Sequence, residues 1–253
     1  MTATDKTGRL AALERKVTEC GICPRLVAWR EAAAANPPKR YRGEEYWARP
    51  IPGFGDPGAR ILIHGLAPAA NGGNRTGRAF TGDRSGDWLF AAIHRAGLSN
   101  QAESVNRDDG LELFDTFINA AVRCAPPENR PTPMERDNCA PWLESELELL
   151  DQVRVVVALG GFAWDSMLRT VRRLGGEVPR PKPKFGHGAE TVLRAPTADW
   201  SGPGGWTMLG SFHPSPLNTS TKKLSAGMLD DIFRRARELA EADPMALGDP
   251  IST

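Results

Sequence analysis

Val155-Val156-Val157-Ala158 is an unbroken apolar run, mostly β-branched. It is too short for a helix and lacks the alternation of a half-wet strand, so it reads as a strand covered on both faces. Three more short apolar segments share its character: Ile61-Leu62-Ile63-His64, Phe117-Ile118-Asn119-Ala120 and Thr207-Met208-Leu209. Helical patterns lie between them. Ser85 is placed to cap a helix through Trp88, Leu89, Ala92, Ile93 and Ala96, with Gly97 as its stop. Thr132-Pro133-Met134-Glu135 reads as a capping box with proline at the first helical position. The helix it opens carries Cys139, Trp142, Leu143, Leu147 and Leu150 on roughly one face. Further helices fit residues 162–174 and 222–242. This alternation predicts a parallel sheet with helices on both sides. Ligands of such sheets bind beyond the carboxyl ends of the strands. The unusual polar loops, residues 65–85, 123–131 and 211–218, all follow predicted strands.

Composition bounds the rest. A chain of 253 residues, 40% hydrophobic and 25% charged, can bury about three-quarters of its unfolded surface in one domain. Its 26 glycines and 21 prolines stay below the level of a disordered or collagen-like chain. No apolar run approaches the ~20 residues of a membrane span. The first nine residues lack the apolar stretch of a secretory signal. The expectation is a soluble, cytoplasmic protein of one domain over residues 1–253, with residues 243–253 fraying. The net charge of +1 decides little. Its distribution is uneven, with seven basic and two acidic residues over 169–194 but six acidic and one basic over 135–151. Such polarity suits one-sided contact with a polyanion, or simply the solvated faces of separate helices.

The chain has four cysteines. Cys20 and Cys23 form a Cys-x2-Cys pair, Cys124 follows the second predicted strand, and Cys139 lies early in the capped helix. A disulfide framework does not suit a cytosolic chain. Four thiolates suit tetrahedral zinc or an iron–sulfur cluster. The long separation of Cys23 from Cys124 is poor for a compact zinc knuckle and tolerable for a cluster. Plain core cysteines remain a third reading, since Cys139 is at helical spacing from Trp142 and Leu143.

The loop Gly65-Leu66-Ala67-Pro68-Ala69-Ala70-Asn71-Gly72-Gly73-Asn74-Arg75-Thr76-Gly77-Arg78-Ala79-Phe80-Thr81-Gly82-Asp83 is rich in small residues and precedes a helix. It is not a phosphate-binding P-loop, because no Gly-Lys-Ser/Thr ends it, and its glycines miss the dinucleotide spacing. What remains is backbone brought close to a flat ligand, with Phe80 able to stack on it. Asp83 is either a functional carboxylate or a second capping residue.

With this loop, Cys-Gly-Ile-Cys-Pro-Arg-Leu-Val-Ala-Trp-Arg at 20–30, Arg42-Gly43-Glu44, Tyr46-Trp47-Ala48-Arg49-Pro50, Ala121-Val122-Arg123-Cys124-Ala125-Pro126-Pro127 and His213-Pro214-Ser215-Pro216-Leu217-Asn218, the chain resembles the family 5 uracil-DNA glycosylases, an iron–sulfur branch of their superfamily. The resemblance runs from Cys20 to the last helix. It implies an α/β fold, a three-layer α/β/α sandwich with a short, four-stranded, mainly parallel central sheet. It also implies a 4Fe–4S cluster on Cys20, Cys23, Cys124 and Cys139, a substrate of DNA containing uracil or other deaminated bases, hypoxanthine and xanthine included, and a monomer with no membrane partner.

Cleaving an N-glycosidic bond develops positive charge on the sugar and negative charge on the departing base. The target base must first leave the helix, at a cost of roughly a few kcal/mol. By resemblance, Leu217 is the wedge inserted into the stack, although a leucine in a turn can equally be tucked into the core. Phe80 stacks on the flipped base, Asp83 orients water and faces the oxocarbenium, Asn129 assists catalysis, and His213 donates to the base oxygen. Gly65, Ala67, Asn74 and Asn218 join Phe80 and Leu217 as substrate contacts. Of the four histidines, His64 lies in an apolar strand and reads as a satisfied core group. His94 sits within a helix without an obvious partner, and His187 is a loop residue without a nameable role.

Leu66 stands where a neighbouring iron–sulfur family carries Glu, and Ala69 and Ala70 occupy a stretch where the superfamily often places a water-activating Asp or Asn. The task of activating water shifts to Asp83, and a roomier, less discriminating pocket follows. The motifs hold no lysine for a Schiff base, so the expected enzyme is monofunctional and leaves an abasic site. Nothing in this chemistry requires an electron, so the cluster is expected to be structural. A non-catalytic iron–sulfur protein that binds DNA or transfers electrons is the alternative. It gives no reason to assemble Asp83 and His213 on one rim. The basic stretch 169–194 is expected to contact phosphates.

Overall fold

The computed structural model describes residues 3–196 and 200–242; the expected frayed tail lies outside them. In chain order the elements are α1 (Ala3–Thr18), α2 (Pro24–Ala35), β1 (Phe54–Gly55), β2 (Ile61–Gly65), α3 (Gly73–Thr76), α4 (Arg84–Arg95), β3 (Thr116–Ala120), α5 (Pro133–Leu149), β4 (Val155–Leu159), α6 (Gly161–Arg173), β5 (Glu190–Arg194), β6 (Gly205–Ser211), α7 (Pro216–Ser220) and α8 (Ala226–Glu241). No described helix is long and apolar enough to cross a membrane.

The sheet has six strands in the order β1-β3-β2-β4-β6-β5, a correction to the four expected. The four predicted strands form its parallel centre, with Leu62 opposite Phe117 and Val156, and Val156 opposite Met208. The two additions are antiparallel edges. β1 is only two residues long, too short to leave a periodic signature. β5, Glu190-Thr191-Val192-Leu193-Arg194, buries only Leu193 and so reads as polar chain.

Side chains alternate across the sheet. Ile61, Ile63, Val155, Val157 and Leu209 face α4 and α8, where Leu89, Ile93, Leu229 and Phe233 cover them. Leu62, Val156, Ala158 and Met208 face α5 and α6, against Leu143, Leu147, Trp164 and Leu168. Each such buried side chain contributes about 1.5–3 kcal/mol. Both faces are covered, which explains why β4 is apolar throughout.

The capping box of α5 forms as read: Thr132 Oγ1 accepts from the Glu135 amide, and Glu135 reaches back to the Thr132 amide. The cap of α4 is Asp83, not the expected Ser85. Its extended backbone lets Oδ1 accept from the amides of Ser85 at 2.9 Å and Gly86 at 3.0 Å. The last predicted helix starts later than expected, at Ala226, because Ser225 caps it.

The acidic run on α5 is turned inward or onto neighbours. Glu135 pairs with Arg25 on α2, Glu144 with Arg173 on α6, and Glu146 with Arg123. Glu146 also accepts from Asn119 Nδ2 at 2.6 Å, and Asn119 Oδ1 meets His64 Nδ1 at 2.6 Å. His64 is therefore a partnered core group, although its Nε2 has no partner. This buried chain ties β2 and β3 to α5 just below the rim. Replacing Glu146 by Ala strands the Arg123 guanidinium, two of whose nitrogens already lack partners. Glu146→Ala is expected to cost about 3–5 kcal/mol in urea unfolding; a loss below about 1 kcal/mol would show that the pair does not bind these layers together.

Candidate active site

The parallel centre of the sheet brings four strand ends to one rim, and the first of them is glycine for a reason. A Cβ on Gly65 would stand 2.7 Å from the Phe80 ring. One turn into α4, a Cβ on Gly86 would come within 1.7 Å of the Phe80 carbonyl oxygen. Phe80 is thus gripped between a strand end and a helix start, with its backbone in the left-handed region at φ 55°. Its ring lies 5.9 Å from that of His213, tilted by 32°.

The rim opens into a cavity of about 850 Å³, within the usual range for small-molecule sites. Phe80, Asp83, Asn129, His213 and Ala67 all line it. A carboxylate and an imidazole from opposite ends of the chain therefore share one space. Gly65 stands behind Phe80 and does not line it. Asn74 is fully buried, donating to the Arg30 carbonyl at 3.1 Å, so it anchors α2 and does not face the cavity. Asn218 also stays outside, where its Nδ2 donates to the His213 carbonyl at 2.8 Å and braces the histidine's loop. Leu217 is 71% exposed on α7, which removes the reading of a leucine tucked into the core.

The electrostatics of the two polar groups differ. Asp83 spends Oδ1 on the helix amides, which leaves Oδ2 without a hydrogen bond among the described residues and close to Gly72, where a Cβ would come within 2.1 Å. Burial raises its pKa above the usual carboxylate range, opposed by the two amides. The His213 imidazole has no charged neighbour to offset its loss of hydration, and its pKa falls to about 4. It is a neutral ring at neutral pH. Asn129 is exposed and, with Glu128, forms two consecutive residues at φ 54° after Pro126-Pro127. His187, for which no role was legible, accepts from the Phe212 amide at 3.2 Å and so supports the end of β6. His94 meets the Ser99 carbonyl at 3.0 Å.

Sequence reasoning missed the wall built by the N-terminal segment. Trp29, Arg40 and Tyr41 line the cavity. The amides of Trp47 and Ala48 donate to the carbonyls of Arg75 and Asn74, and Tyr46 Oη donates to Asn71 Oδ1 at 2.8 Å. Arg75 then closes the glycine-rich loop on itself, donating to the carbonyls of Asn71 and Gly82 and pairing with Glu44. The signal was present as the aromatic, arginine-rich stretch 40–49, but nothing in its spacing says which loop it covers.

The cysteines gather where that segment meets the chain beyond β3 and the start of α5. Cys23, Cys124 and Cys139 share an apolar cluster with Leu26 and Val122, and Cys20 lies close enough to bear on the Cys124 thiol. All four are free of disulfides. Burial pushes the thiols of Cys124 and Cys139 up to about 11 and about 12. Arg30 Nη1 donates to Cys124 Sγ at 3.1 Å and to the Cys20 carbonyl at 3.3 Å, and Asn138 Nδ2 reaches Cys23 Sγ at 3.5 Å. Among the described residues, no group of three or more His, Cys, Asp or Glu is placed to hold a metal ion. The donor set itself, four sulfurs with a guanidinium at their side, suits thiolate ligation of a cluster.

The basic stretch 169–194 contributes nothing to the cavity lining. Arg173 and Lys182 in it are committed to Glu144 and Asp165.

The His213 shift has a measurable sign. Its folded pKa lies below the ordinary 6.5, so this residue's contribution to stability is present above pH 6.5 and lost as pH falls through about 4. An NMR titration of the His213 ring should show its midpoint near 4 and no inflection between 6 and 7; a midpoint near 6.5 would mean that the ring is hydrated.

A family model described as the uracil DNA glycosylase superfamily matches residues 52–237. The type-5 uracil-DNA glycosylase of Mycobacterium tuberculosis is 51% identical over 92% of this chain and 82% of its own length. That of Thermus thermophilus is 48% identical over 90% of this chain and 97% of its own. The type-4 uracil-DNA glycosylase of Thermotoga maritima is more distant, at 29% over 72% and 79%. The chain therefore belongs to the uracil-DNA glycosylase superfamily, on its type-5 side.

Proposed function

We propose that this chain is a DNA-repair enzyme that hydrolyses the N-glycosidic bond of uracil extruded from DNA into the rim cavity, leaving an abasic site. The observation that carries the site assignment is the convergence of Asp83, Phe80 and His213 on one space large enough for a nucleobase. The base stacks on Phe80, a contact of about 1–3 kcal/mol that tolerates base identity. His213, a neutral ring with no hydrogen bond to either nitrogen among the described residues, donates a ring N–H to a base carbonyl oxygen. As the bond breaks, its electron pair passes to the base and that oxygen becomes anionic, so the hydrogen bond strengthens where charge develops. Asp83 Oδ2 faces the cationic sugar and takes the proton of the water that adds to C1′. Asn129 assists from the opposite loop.

Asp83 is free to act because a helix cap needs only one of its oxygens. The cavity lining contains no lysine among the described residues, which supports a monofunctional glycosylase. Ala67, Ala69 and Ala70 line it with little polar chemistry, which supports acceptance of hypoxanthine and xanthine beside uracil. Leu217 is the wedge. Its exposure on a helix capped by Ser215 supports that role.

Cys20, Cys23, Cys124 and Cys139 would hold a 4Fe–4S cluster, which when bound cross-links the N-terminal segment to β3 and α5. Arg25–Glu135 and Arg30 work in the same direction, so the role assigned to the cysteines is structural. A purely electron-carrying protein has no use for Asp83 and His213 on a shared cavity.

Asp83→Asn should lower single-turnover excision of uracil from a duplex by about 10²–10⁴-fold. His213→Ala should lower it by about 10–100-fold, the equivalent of a hydrogen bond of roughly 1.5–3 kcal/mol. Activity retained in Asp83→Asn would remove the carboxylate from the mechanism, and borohydride trapping of an enzyme–DNA adduct would refute monofunctional chemistry. Leu217→Ala should slow excision from duplex DNA more than from single strands, where no stack opposes extrusion; an equal loss on both would show that Leu217 is no wedge.

A further inference from the structure

Three carboxylates line the cavity, those of Asp83, Asp87 and Glu128. A nucleotide entering it brings two flanking phosphates toward that negative charge, which is unfavourable unless cations stand at the mouth. None of the basic residues of 169–194 lines the cavity. Two arginines do. Arg40, in the turn Lys39–Tyr41 of the N-terminal segment, and Arg84, the first residue of α4, both line the cavity and are both exposed. Neither forms an ion pair among the described residues, although Arg84 sits between Asp83 and Asp87 in the sequence. Their neighbour Arg75 is occupied by Glu44 and by two carbonyls. Glu128 is 3.5 Å from Arg130.

Arg40 is not a loose surface cation. Its guanidinium lies 4.6 Å from the centre of the Tyr41 ring, and that ring is itself held by Arg75 at 4.2 Å. An arginine seated on an aromatic face loses less freedom when it grips an anion, and its planar fork suits two phosphate oxygens.

We propose that Arg40 and Arg84 form a phosphate clamp at the mouth of the cavity, binding the backbone phosphates on either side of the extruded nucleotide. This inference rests on the glycosylase reading. It gives the N-terminal segment a function beyond closing the fold, because Arg40 reaches the cavity only while that segment is pinned against the glycine-rich loop.

The test is the salt dependence of binding to a labelled duplex holding a single tetrahydrofuran abasic site, which the enzyme cannot cleave. Removing one arginine–phosphate pair should flatten the plot of log K against log salt by about 0.9. Arg40→Gln and Arg84→Gln should each show that change, and the double variant about twice as much. Arg40→Lys should restore most of the slope. Arg234→Gln should leave the slope and uracil excision unchanged, since Arg234 is paired with Asp231 and Glu238 on α8. Slopes unchanged in both single variants, or a flattening in Arg40→Gln that lysine does not reverse, would overturn the clamp. If the unmodified protein excises no uracil from a duplex, the glycosylase reading fails instead, and the two failures are read separately.

Discussion

Everything at the rim depends on how closely Phe80 is gripped. The end of β2 and the first turn of α4 approach it from two sides, and at both places only glycine fits. The strand end passes the ring because Gly65 has no Cβ, and the helix reaches the Phe80 carbonyl because Gly86 has none. Once that residue is fixed, so is the ring that faces His213, and so is the start of the helix that Asp83 caps. The aromatic surface and the carboxylate are consequences of one packing constraint, which is why a loop with so few polar side chains can form a site.

The cap is the second element of that economy. A carboxylate at a helix start is ordinarily explained by the amides it accepts from, and Asp83 does accept from two. It uses a single oxygen to do so. The helix fixes the group through that oxygen alone, and burial raises the acid above the usual carboxylate range against the pull of the two amides. The His213 ring is tuned the other way by the same lack of water, and it remains uncharged. The two groups are distinguished by what surrounds them, with no ion pair between them.

The centre of the fold was legible because its strands are buried on both faces and its helices carry strong start signals. The run at 155–158 and the capping box at 132–135 are where the sequence states the structure without ambiguity. The edges were not legible. β1 is too short for a pattern, and β5 exposes most of its side chains. Among the candidate residues, Ala67, Phe80, Asp83, Asn129 and His213 came together at the cavity, with Gly65 behind Phe80. Asn74 and Asn218, on the short helices α3 and α7, did not, because an asparagine side chain can serve backbone as well as ligand, and both of these hold carbonyls. The acidic run at 135–151 reads as surface charge, yet much of it is spent on arginines of other elements. Partners far apart in the chain cannot be read from a run of like charges.

The part of the chain that matches the superfamily begins at residue 52. Trp29, Arg40 and Tyr41 precede it, yet they form a side of the cavity. A segment outside the matched span and the sheet rim inside it therefore share one cavity. On the reading proposed above, a substitution at Trp29, Arg40 or Tyr41 changes the wall that an entering strand meets and leaves the side chains at the strand ends as they are.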